Sequence, residues 1–198
     1  MACVLTSDER VGVVLLNRVM EDQLAGVPSS EGLLLKSEKM ENEHDEKIVT
    51  QLSEMIRKIA AALEKDKVLN DTIDGMAGKL SDKTNYWRLV ENVFADGHVT
   101  WERIAVLFYV AGRVAVKMVI AHLPQYVKDI LTWTLEYFKS KLLSWVQENG
   151  GWVSSFSELA RVPVERMNSL SAQTPVTLLI FIGGVLLGSF MWKLSGRT

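Results

Sequence analysis

Cysteine is almost missing from this chain. Cys3 is the only one among 198 residues, so an intramolecular disulfide is excluded and a reducing compartment fits. Charge of one sign is missing too. The net charge is −2, which removes the bulk electrostatic case for binding nucleic acid. There is no Gly-rich phosphate loop of Walker or Rossmann type, no His-Glu-x-x-His and no Cys-x-x-Cys. The histidines His44, His98 and His122 are scattered and share no helical ligand spacing. These absences argue against an enzyme and against a metal or other cofactor. An N-terminal signal peptide is not expected, because Asp8, Glu9 and Arg10 interrupt any apolar run. Strand-like alternation bounded by hairpin turns is also wanting, which leaves an all-α chain.

What the chain does have is one long uncharged run near its end. Val176 to Trp192 reads VTLLIFIGGVLLGSFMW, and Lys193 and Arg197 follow in a six-residue tail. As a helix it reaches roughly 26 Å, near the lower limit for crossing a bilayer core. The run reads as a C-terminal tail anchor, inserted after synthesis, with everything before it on the cytosolic side. The competing reading is a buried core helix, since a helix apolar all round must be covered somewhere. Both roles can belong to one chain at different times. Gly184 and Gly188 are spaced to bring two anchors together, although glycine is common in spanning helices for other reasons.

The remaining 171 or so residues are long enough for one domain with a sizeable core. Ser7 or Asp8 is positioned to cap a first helix ending near Leu24. Residues 25–46 read as a linker, broken by Gly26, Pro28, Ser29, Ser30 and Gly32 and then charged. A second helix is expected from about Asp45 to Lys65, with Val49, Leu52, Ile56, Ile59 and Leu63 forming one apolar stripe. A short third helix, from about Val68 to Met76, ends at Gly75 or Gly78. Ser81 or Asp82 caps a fourth, and Asp96-Gly97 makes a turn. Thr100 caps the fifth. From Ile104 to Leu123 only Arg113, Lys117 and His122 are strongly polar, which marks this helix as the centre of a bundle. Pro124 opens the sixth, a short seventh ends at Asn149-Gly150-Gly151, and Pro163 breaks whatever follows Trp152.

Three segments together resemble the Bcl-2 family, and within it the Bax-type branch. Residues 89–110, LVENVFADGHVTWERIAVLFYV, resemble the BH1 motif, with Thr100-Trp101-Glu102-Arg103 standing where the family has Asn-Trp-Gly-Arg. Residues 133–152, WTLEYFKSKLLSWVQENGGW, resemble BH2 through Trp145, Gly150, Gly151 and Trp152. The helix at 49–65 stands at the place and spacing of a BH3 helix through Leu52, Ile56, Ile59, Ala60 and Leu63. The resemblance covers about residues 7–193. Two positions depart from it. Ala61 and Ala62 replace the acidic pair of BH3, and Glu102 replaces the glycine before Arg103.

The resemblance implies a Bcl-2-like helical domain over residues 1–171 and a C-terminal tail over 172–198. It implies a groove lined by Trp101 and Arg103, in which Arg103 meets a BH3 acid. It implies a pro-death effector, cytosolic at rest, that inserts in the mitochondrial outer membrane, forms homo-oligomers there and permeabilises it. Its partners would be BH3-containing and other Bcl-2 family proteins, further copies of itself, and the lipids of that membrane. The anchor would run from Val176 to Trp192. The runner-up is a survival-type member that sequesters BH3 helices in its groove, and a third reading is a tail-anchored adaptor without pore activity.

Ser189 lies in the last turn of the anchor run, where Bax-type tails carry a serine. A phosphate there adds close to two negative charges, and a charge inside the hydrocarbon costs about 2–3 kcal/mol or more. Ser189→Asp is therefore expected to be more cytosolic than the parent, and Ser189→Val more membrane-bound. Fractionation of cells expressing the variants at matched levels measures this. Indistinguishable membrane fractions would reduce Ser189 to a tolerated small residue.

Overall fold

The computed structural model describes residues 5–33 and 39–159. Over these residues the chain is helical: α1 (Ser7–Leu24), α2 (Glu43–Leu63), α3 (Lys67–Met76), α4 (Lys83–Val93), α5 (Trp101–Ile120), α6 (Tyr126–Tyr137), α7 (Leu143–Glu148) and α8 (Gly151–Leu159). A 3-10 turn at Ala77–Lys79 follows α3, and a π-turn at Phe138–Leu142 joins α6 to α7. The expected anchor at 176–192, the break at Pro163 and the whole tail lie outside the described residues. Among the described residues, no helix is long and apolar enough to cross a membrane.

The centre is α5, as its composition predicts. Fourteen of its 20 residues are buried, and they fall on every side of the helix. Helices α1, α2, α3, α4, α6 and α8 all pack on it. A helix this apolar has no face to offer water, so the others must enclose it. Thr100 caps it as expected, accepting the Arg103 N–H at 3.3 Å.

Several boundaries differ from the sequence reading, each through a cap. Thr6 rather than Ser7 or Asp8 caps α1, by accepting the Glu9 N–H. Asn42 accepts the His44 N–H, so α2 begins at Glu43, before the expected Asp45. Between α1 and α2 the chain is less free than its composition implies. Met40 is buried and its N–H donates to Glu46 at 2.9 Å. Asp82 caps α4, accepting from Thr84 and Asn85. At the end of α5 the Leu123 N–H bonds the Met118 carbonyl at 2.8 Å and His122 bonds Val119 at 3.0 Å, the Schellman pattern. His122 fills its left-handed position at φ +60°, where glycine is the usual residue. Pro124 stands in this turn and α6 starts at Tyr126, two residues later than the proline alone suggests.

Two glycines make room for side chains of neighbouring elements. A Cβ on Gly12 would lie 2.5 Å from the Phe138 ring, and one on Gly112 would lie 2.5 Å from the Gln23 amide nitrogen. That amide donates to the Tyr109 carbonyl at 3.1 Å, so Gly112 leaves room for a side chain of α1 on the backbone of α5. Phe138 is fully buried and cannot swing aside. Gly12→Ala is therefore expected to destabilise the fold by about 2–3 kcal/mol through overpacking. Thermal or urea unfolding measures it, and a change below 0.5 kcal/mol would show that Phe138 has somewhere to go.

Candidate functional site

The apolar stripe of α2 faces the core. Leu52, Ile56, Ile59 and Ala60 are buried, and Leu63 packs half-buried against them. Each large side chain buried in this way is worth about 1.5–3 kcal/mol. Ser53 is buried beside them and its hydroxyl donates to the Val49 carbonyl at 2.7 Å. Ala61 points to solvent. The outer side of α2 is held to α1 by ion pairs. Arg18 grips both oxygens of Glu46 at 2.8 and 2.9 Å, and Arg57 meets Asp22 at 2.8 Å. Burial raises the Glu46 carboxyl, but the Met40 N–H and the Arg18 guanidinium together hold it below its ordinary value. The end of α2 is tied to α3 by Asn70, whose amide donates to the carbonyls of Leu63 at 3.0 Å and Asp66 at 2.7 Å. The Tyr109 hydroxyl reaches the same Asn70 at 3.4 Å. Burial pushes that phenol up to about 12.

Arg103 begins its work locally. Its guanidinium donates to both carboxylate oxygens of Asp96 and to the His98 carbonyl at 2.6 Å. Asp96 also accepts the His98 N–H at 3.0 Å, and Gly97 turns the chain between them at φ +78°. The Asp-Gly turn and the first turn of α5 thus form one closed unit. In this resting arrangement the acid that Arg103 meets is Asp96, seven residues before it, and not one on α2. Side-chain exposures of 24% for Arg103 and 33% for Asp96 keep both within reach of a competing partner.

Trp101 and the residues of the 133–152 segment come together in one aromatic cluster. Trp101 sits 5.1 Å from Trp145 and 5.4 Å from Trp152, ring centre to ring centre. Trp152 stacks on Phe138 at 5.8 Å and lies 6.3 Å from Phe108. The two glycines turn the chain into this cluster with φ +86° at Gly150 and +66° at Gly151. An added Cβ would crowd a neighbour at both: on Gly150 the Ser154 hydroxyl, and on Gly151 the Asp8 carboxylate, 2.8 Å away.

Some residues of the site carry no sequence signal of their own. Asp8 of α1 accepts the Trp152 backbone N–H at 3.3 Å, and its carbonyl accepts the Trp152 indole N–H at 2.8 Å. The partners are 144 residues apart, so only the fold pairs them. Thr134 is buried in α6 with the Tyr86 hydroxyl 2.6 Å away, and burial raises that phenol far above its ordinary value. Among the described residues no group of three His, Cys, Asp or Glu is placed to hold a metal ion. The anchor residues Val176, Gly184, Gly188, Ser189 and Trp192 lie outside the described residues.

The Arg103 guanidinium, and secondarily the His98 N–H, hold the Asp96 carboxyl well below its ordinary 3.8. A carboxyl lowered on folding adds stability that is complete above its unfolded value and is lost as pH falls through the folded one. Asp96→Asn is thus expected to lower the melting temperature at neutral pH. The difference from the parent should shrink progressively below about pH 4. Melting curves from pH 7 down to 3 check this, and a gap independent of pH would mean the pair adds nothing.

The sequence profile described as apoptosis regulator proteins, Bcl-2 family, matches residues 37–152. Mouse apoptosis regulator BAX is 30% identical over 195 residues, 96% of this chain and 93% of that protein. Chicken apoptosis regulator Bcl-2 is 33% identical over 106 residues, 52% of this chain and 45% of that protein. Among solved structures, Trichoplax adhaerens trBcl-2L2 bound to trBak BH3 superposes with a TM-score of 0.58 at 21% identity, covering 76% of this chain and 98% of that one.

Proposed function

Because the chain belongs to the Bcl-2 family of apoptosis regulators, we propose that it is a pro-apoptotic effector. It rests in the cytosol. On activation it is held at the mitochondrial outer membrane by residues 176–192, oligomerises there and permeabilises the membrane, releasing intermembrane-space proteins. The observation that carries this reading is the extent of the similarity. The match to mouse BAX runs over 195 residues, whereas the match to chicken Bcl-2 spans 106.

The resting geometry supplies a physical course. The stripe Leu52, Ile56, Ile59 and Leu63 is covered at rest, so α2 must leave the core before it can enter another groove as an amphipathic helix. Two basic residues of α5 and the segment after it are engaged at rest: Lys117 with Asp74 at 2.6 Å, and Lys139 with Glu9 at 2.8 Å. Separating α1 and α3 from this hairpin frees those cations, along with the exposed Lys128, for lipid head groups, while the apolar faces turn to the interface. The partners are BH3-bearing and other family members, further copies of this chain, and outer-membrane lipid. Opening the Arg103–Asp96 pair would offer Arg103 to an incoming BH3 acid.

A survival-type role is the second reading. It is favoured by the identity to chicken Bcl-2 over 106 residues and by a fold neighbour crystallised with a BH3 segment. Liposomes of outer-mitochondrial-membrane composition, loaded with dye, separate the two. An effector is expected to release dye once an activating BH3 peptide is added. A survival-type member would instead suppress release by another effector, and an adaptor would do neither. Either of the last two outcomes overturns the proposal.

A further inference from the structure

The first turns of α1, α2 and α8 meet at a corner that the proposed activity does not use. A cavity of about 360 Å³ opens there, within the ~300–1,000 Å³ range of ligand pockets. Its floor is apolar, made by the buried Val11, Ile48 and Trp152. Val153 on its rim is 54% exposed, unusual here for a large hydrophobic residue.

The rim also carries two carboxylates, Asp8 and Asp45. One oxygen of Asp8 accepts the Trp152 N–H at 3.3 Å, and one oxygen of Asp45 accepts the Ser7 hydroxyl at 2.9 Å. Both donors are neutral. The second oxygen of each carboxylate has no donor among the described residues. The acids around them are matched: Glu9 with Lys139, Glu43 with Lys47 and Glu46 with Arg18. Asp8 and Asp45 have no cationic partner among the described residues. The three helix ends lend partial positive charge, roughly half a unit each, which offsets much of the two full negative charges but fills no lone pair. A carboxylate has acceptor sites only, so the partner group that best matches this corner is one that brings donors.

We propose that the corner receives an arginine side chain from a partner protein, flanked by an aliphatic residue that covers Val153. An arginine matches each part of the site. Its aliphatic stem suits the floor of Val11 and Ile48. Its planar fork offers several N–H donors to two carboxylates at once, which the point charge of lysine does less well. Bridging Asp8 on α1 to Asp45 on α2 clamps the start of α2 in its buried position, so such a partner holds the resting form. The binding itself rests on nothing in the permeabilising role and stands or falls separately.

The test uses the ¹⁵N-labelled full chain titrated with the peptide acetyl-Leu-Arg-Leu-amide and with the same peptide carrying citrulline, which keeps the shape and removes the charge. The arginine peptide is expected to shift the amides of Ser7, Asp45 and Gly151 and the Trp152 indole saturably. The citrulline peptide should bind about two- to fivefold more weakly, the range of a partly exposed ion pair. Asp45→Asn, whose side-chain oxygen still accepts from Ser7, should raise the Kd of the arginine peptide by a similar factor. Should that variant perturb the fold, the two peptides on the unaltered chain decide the matter. Equal affinity of the citrulline peptide, shifts centred elsewhere, or no saturable shift overturns the proposal.

Discussion

Helix α5 presents buried residues around its whole circumference, from Trp101 to Val119, and water must be kept from nearly all of it. That requirement arranges the molecule. Helices α1 and α6 lie along it, α2, α3 and α4 close other sides, and α8 folds back over its start. Because the covering helices bury only one face each, their outer faces carry the charges that tie them together, such as Arg18–Glu46 between α1 and α2. The same enclosure makes α5 a segment that would seek an apolar phase if its neighbours moved away.

The stripe on α2 shows how one set of residues serves two demands. Leu52, Ile56 and Ile59 are core side chains, and their spacing is also what an amphipathic helix needs to enter a groove. The two uses exclude each other in time. What restrains α2 is distributed: ion pairs to α1 on its outer side, Asn70 at its end, and core packing beneath. An exposed pair such as Arg57–Asp22 contributes at most about 1 kcal/mol, whereas each large apolar side chain contributes about 1.5–3 kcal/mol. The packing, not the salt bridges, sets the cost of release.

Around Trp152, motifs far apart in the chain become one object. Trp101 from the start of α5 and Trp145 and Trp152 from the last described helices share an aromatic cluster. Gly151 lets Asp8 approach the first turn of α8, where Trp152 donates to it twice. The glycine pair therefore does more than end a helix. It brings the N-terminal helix and the C-terminal end of the described fold into hydrogen-bonding contact.

Much of this was legible in the sequence. Helices, their apolar faces and most caps are local, so periodicity and cap residues placed α2, α4 and α5 to within two or three residues. The central position of α5 followed from composition alone, because a helix that is apolar all round must be enclosed. The family could be read from the words around Trp101, Arg103 and Trp152. Pairings across long chain separations could not be read in this way. Nothing in the local sequence says that Arg103 turns to Asp96 rather than to another helix, that Asp8 binds Trp152 across 144 residues, or that Gly12 leaves space for Phe138. Helix formation is decided within a few turns of backbone. Which side chains meet is decided by how the finished helices pack around α5, and that geometry exists only in the folded chain.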